Sequence, residues 1–118
     1  MSPESPGKRL LNPTVLESLG QMVGRQGLPA LLEGLRLDCI AGMTELASAL
    51  AGNHRDEARE IGHKFKGVFS QYGVSGSLEC ASRLAGDQNV DWRNDAMDLL
   101  RILDELMGEV CSLQQNVA

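Results

Sequence analysis

Apolar side chains recur along this chain at helical spacing, and no stretch alternates as a half-buried strand would. The longest stripe is Leu28, Leu31, Leu32, Leu35, Cys39, Met43, Leu46 and Leu50, which predicts a long helix from about Leu28-Pro29 to Ala51-Gly52. Before it, Asn12-Pro13 reads as a helix cap followed by proline at the first helical position. A helix then runs to about Val23, with Val15, Leu16, Leu19, Met22 and Val23 on one face, and Gly24-Arg25-Gln26-Gly27 ends it. A third helix spans about 54–72, capped by Asn53, with Ala58, Ile61, Phe65, Val68 or Phe69, and Tyr72 inward. Its acidic start, Asp56, Glu57 and Glu60, suits the positive end of a helix dipole. A short helix over 77–84 follows, then a loop over 85–91. A final helix covers about 92–113, with Ala96, Leu99, Leu100, Leu103, Leu106, Met107 and Val110 on one side and charged residues on the other.

These elements predict an all-α, antiparallel four-helix bundle with an additional short N-terminal helix, over residues 12–115. Residues 1–11, with two prolines and no periodicity, read as a flexible tail or linker. A length of 118 residues suits one domain. The aromatic content of 3% argues against a β-sandwich or barrel, whose strands are rich in such residues. Three of the four aromatics fall within residues 65–72.

A net charge of −5 disfavours nonspecific binding to nucleic acid or an anionic membrane. No apolar run is long enough for a membrane span and no secretory leader is evident, so a cytoplasmic location is expected. Cys39, Cys80 and Cys111 are too far apart in sequence for a zinc motif, and an odd number suits no disulfide framework; they read as reduced core residues. The thirteen glycines are many for a helical chain. Close packing between helices is the expected reason for Gly34, Gly42, Gly62 and Gly108.

No P-loop, dinucleotide fingerprint or nucleophile elbow is present. His54 and His63 lie on opposite sides of one predicted helix, about 13 Å apart along its axis, and so do not share a metal. His63 falls off the buried stripe, toward solvent, and Lys66, Gly67 and Ser70 share its face at i+3, i+4 and i+7. A neutral imidazole is a competent nucleophile near pH 7. A neighbouring ammonium would neutralise an arriving phosphoryl group, and a glycine one turn away leaves room for another protein. Lys64 reads as a solvated side chain, and His54 as a helix-start residue without chemistry.

The run His63-Lys64-Phe65-Lys66-Gly67, continuing to Gly73, resembles the motif of histidine-containing phosphotransfer (HPt) domains, roughly His-x-Leu-Lys-Gly with a further glycine six positions on. The order of Asn12-Pro13, a long helix ending in Ala-Gly, the motif helix and a last long helix extends the likeness over about 12–113. Val68-Phe69 departs from it, because the family usually has serine or alanine after Lys-Gly. The resemblance implies that His63 is the phosphoacceptor, that Lys66 steadies the phosphoryl group, and that Gly67, Ser70 and Gly73 belong to the docking face. It implies a phosphoryl carrier without kinase activity of its own. Its partners would be receiver domains of response regulators, with a hybrid sensor histidine kinase as a further candidate. No cofactor of its own is implied, Mg²⁺ being supplied by the receiver. The alternative is a non-catalytic helical adaptor or dimerisation bundle with the same fold.

Overall fold

The computed structural model describes residues 10–74, 77–86 and 90–117, with Arg25, Asn116 and Val117 as backbone only. It contains α1 (Pro13–Gly52), α2 (Arg55–Tyr72), α3 (Leu78–Leu84) and α4 (Trp92–Val117). Residues 1–9 of the tail expected over 1–11, and residues 87–89 of the expected loop, lie outside the described residues.

α1 joins the first two expected helices. The break expected over 24–27 shrinks to one residue, Gly24, at φ 81° and ψ 175°. That backbone region is open essentially to glycine alone, so the chain turns there and resumes the helix at once. Gly27 matters for the same kink, since a Cβ on it would sit 2.6 Å from that of Val23. The arm before the kink starts as expected: Asn12 Oδ1 accepts the Thr14 amide at 2.9 Å, and Pro13 occupies the first turn.

Among the described residues, the two that precede Asn12 are also anchored. The Leu10 and Leu11 amides donate to the two carboxylate oxygens of Glu109 on α4, at 2.8 and 3.0 Å, and Leu11 is buried. A residue pair with no periodicity is thus held by a contact 98 positions away in sequence. Met22 and Val23, expected inward, are 80% and 42% exposed. Helical period identifies which residues share a face, but not how far along that face another element extends.

The connection from α1 to α2 also differs. Asn53 caps the preceding helix, at φ 58°, and its carboxamide oxygen accepts from Arg93 of α4 at 2.9 Å. Asparagine favours both helix starts and left-handed helix ends, so composition alone assigned it to the wrong helix. The cap position of α2 falls to His54, which makes no side-chain capping bond and lies 3.5 Å from Glu57.

α2 and α4 each run antiparallel to the long arm of α1. Tyr72 and Lys64 of α2 reach Leu31 and Asp38, while Arg93 and Gln114 of α4 reach Asn53 and Glu33. α3 packs between α2 and α4, closing the bundle in the order α1, α2, α3, α4. The core holds Leu32, Leu35, Cys39 and Leu46 from α1, Phe65 and Phe69 from α2, and Leu99, Leu103 and Leu106 from α4. Burial pushes the thiols of Cys39 and Cys80 up to about 12 and about 11, so both stay protonated core groups. Cys111 is half-buried at the rim.

Two of the four helical glycines have the packing role expected of them. A Cβ on Gly42 would meet the Phe65 ring at 2.5 Å and Leu103 at 3.1 Å; one on Gly62 would meet α3 backbone atoms at 2.9–3.1 Å. Gly34 and Gly108 are different: nothing lies within 4 Å of a Cβ at either, and both are exposed. Gly34→Ala and Gly108→Ala are therefore expected each to raise unfolding free energy by roughly 0.5–1 kcal/mol, through helix propensity alone. Gly42→Ala should lower it, and urea denaturation of the three variants reads the sign directly.

Candidate functional site

α2 is strongly two-sided. Ala58, Ile61, Gly62, Phe65, Phe69 and Tyr72 are buried on one side. His63, Lys66, Gly67 and Ser70 are all exposed on the other, as the helical spacing required. Lys66 lies one turn from His63, about 4.5 Å along the axis, and Gly67 about 6 Å. Neither His63 nor Lys66 makes a hydrogen bond or ion pair with the described residues.

This face rests on a helix fixed from three directions. Gly62 lets α2 approach the α3 backbone, and Gly42 lets α1 close over the Phe65 ring. Phe65 and Phe69 stack tilted by 47° with centroids 5.6 Å apart. At the far end the buried Tyr72 hydroxyl donates to the Leu31 carbonyl at 3.3 Å, and burial raises its pKa. Lys64, expected to be merely solvated, lies 3.6 Å from Asp38 of α1 and 5.8 Å from the centre of the Phe65 ring. Sequence spacing on α2 could not reveal that contact, because its partner sits on another helix. His63 is thus presented from rigid secondary structure, which holds a reacting atom better than a loop does.

Gly67 is bare for no reason internal to the fold. Nothing lies within 4 Å of a Cβ built there, so its cost of about 1 kcal/mol to the helix is offset by no packing gain. Gly73 has the opposite character. It ends α2 in the left-handed conformation at φ 63°, and a Cβ there would lie 2.7 Å from Val15 of the N-terminal arm. The fold itself requires that glycine, whatever else it does. The bulk at Val68-Phe69 is absorbed inward: Phe69 is 1% exposed and Val68 packs half-buried at the edge of the core.

Between α1 and α2 lies a groove of about 550 Å³ that helical spacing does not reveal, lined by Thr44, Glu45, Ser48, Glu57, Glu60, Ile61 and Lys64. Its α2 wall runs from Glu57, before His63, to Lys64, just after it. The α1 residues enter it only through the register of two helices, for which no motif exists. His54, at the start of α2, takes no part in the His63 face. Among the described residues no three His, Cys, Asp or Glu side chains converge as a metal site, and no helix is long and apolar enough to cross a membrane.

No family model and no curated protein matches the sequence. Among solved structures, the crystal structure of histidine-containing phosphotransfer protein B (HptB) from Pseudomonas aeruginosa PAO1 matches with a TM-score of 0.66 and 24% identity. The match covers 92% of this chain and 94% of that one. The chain therefore has the fold of that phosphotransfer protein, as the helix order and motif led one to expect.

Proposed function

We propose that this chain is a phosphoryl carrier of a two-component phosphorelay, working in the cytoplasm and accepting phosphate on His63. The observation that carries the reading is the exposed imidazole on a rigid helix, one turn from an unengaged ammonium and from a glycine that packing does not need. The fold match and the His63-Lys66-Gly67 spacing support it independently.

The chemistry follows from those groups. The Nε2 lone pair of neutral His63 attacks phosphorus in line with the acyl-phosphate bond of a receiver aspartate. The P–N bond forms as the P–O bond breaks, its electron pair leaving on the carboxylate, and the Nδ1 proton passes to solvent. Lys66 sits where it can balance charge on the moving phosphoryl oxygens. Mg²⁺ bound by the receiver would carry the rest. The reverse step delivers the group to a second receiver, so each contact must be transient. Ser70 and Gly73 border the face on which the partner would rest.

Incubation with receiver domains charged by acetyl phosphate tests the reading. The expected product is acid-labile, base-stable phosphate on this chain; failure of every receiver to label it would leave the adaptor. The departure from the motif at Val68-Phe69 leaves the exposed His63 face undisturbed, because Phe69 belongs to the core.

Gly67 offers a second test in which stability and transfer move in opposite directions. Gly67→Ala should stabilise the fold by up to about 1 kcal/mol, since its methyl meets nothing. Gly67→Leu should keep the helical circular dichroism while slowing transfer from a receiver severely, at least tenfold. Unimpaired transfer by the leucine variant would show that the open surface serves no docking.

A further inference from the structure

Charge on the exposed side of α2 changes sign at His63. Toward the helix start, Asp56, Glu57 and Glu60 are exposed, and Glu45 of α1 joins Glu57 and Glu60 across the shared groove, which Lys64 also lines. Toward the helix end Lys66 pairs with none of the described residues, whereas Lys64 is drawn to Asp38. Arg55 and Arg59 are half-buried and hold partners of their own. Asp56 and Glu57 have an internal reason to be acidic, lying in the first turn of α2 where the helix dipole favours anions. Glu60, beyond that turn, and Glu45, on a different helix, have no such reason.

An aspartyl phosphate is a dianion, drawn toward Lys66 and repelled from the Glu45–Glu60 side of His63. Groups within a Debye length, about 8–10 Å, feel such fields at physiological salt. We infer that this polarity selects one docking orientation. The receiver's anionic phosphorylation pocket faces Lys66, and a cationic rim of the same receiver lies over Glu60 and the α1–α2 groove. The inference rests on the phosphocarrier reading and adds the chemistry of the partner surface. Charge arranged this way acts on the rate of productive encounter, and so fades with added salt.

Glu60→Lys and Glu45→Lys, made in the full chain, test it against Glu105→Lys, an equal change in net charge at an exposed position of α4. The measurement is kcat/KM for transfer from a phosphorylated receiver that labels the wild type, at low and high salt. Phosphoramidate, a small donor with no docking surface, reports on His63 itself. Each groove variant is expected to lose about tenfold at low salt and to recover at high salt, while Glu105→Lys stays within about twofold and phosphoramidate labelling is unchanged. Equal behaviour of all three variants overturns the orientation and leaves the carrier reading standing. A wild type that phosphoramidate labels but no receiver does overturns both.

Discussion

His63→Gln is expected to abolish acid-labile phosphorylation, a loss of at least about a thousandfold, while leaving the fold untouched. Glutamine keeps polar bulk and hydrogen-bonding capacity on the exposed face but has no nitrogen lone pair able to attack phosphorus. The side chain contacts nothing that the fold relies on, so the stability change should stay within about 0.5 kcal/mol, as for most surface substitutions. The combination is diagnostic: unchanged urea midpoint, unchanged helix content, no label. Retained base-stable label on the variant would move the phosphoacceptor elsewhere. His54 is the obvious second candidate, exposed at the start of α2 and 3.5 Å from Glu57.

Phe65→Ala is expected to give the largest loss of stability of any single change beneath the site, about 3–5 kcal/mol. The ring is fully buried, stacked on Phe69 and covered by the bare backbone of Gly42. Truncation removes its transfer energy and leaves a cavity that rigid helices on three sides cannot close. For a domain whose total stability is about 5–15 kcal/mol, such a loss brings the midpoint of urea denaturation down by a large fraction. A loss below about 1 kcal/mol would mean that the space is refilled. Phosphotransfer should also slow in the surviving folded fraction, because His63 lies two residues away on the helix this ring seats.

Much of the architecture is legible in the pattern of apolar residues. The stripe from Leu28 to Leu50 and that from Ala96 to Val110 correspond to buried faces of α1 and α4, and the short α3 was expected over nearly the residues it occupies. The face of α2 that presents His63, Lys66, Gly67 and Ser70 follows from helical spacing alone. Where the structure departs from the pattern, the departures share a cause. Leu10 and Leu11 lack periodicity, yet Glu109 holds them; Lys64 falls on the exposed side of its helix, yet it reaches Asp38; Asn53 suits a helix start, yet it ends α1. Each depends on a partner distant in sequence or on a backbone choice that several residues accept equally.

The glycines draw the boundary most clearly. Sequence position shows that Gly34, Gly42, Gly62, Gly67 and Gly108 interrupt helices at a known local cost, because helix propensity is a property of the residue and its own backbone. Whether that cost is offset is a question about neighbours. Gly42 and Gly62 let helices meet, whereas Gly34, Gly67 and Gly108 face open space. By itself the sequence determined the helices, their inward faces and the presentation of His63, all consequences of a period of 3.6 residues. Only the tertiary structure decided the kink at Gly24, the groove between α1 and α2, and which glycines are free. Those depend on the register of one helix against another, which side chains distant along the chain settle together.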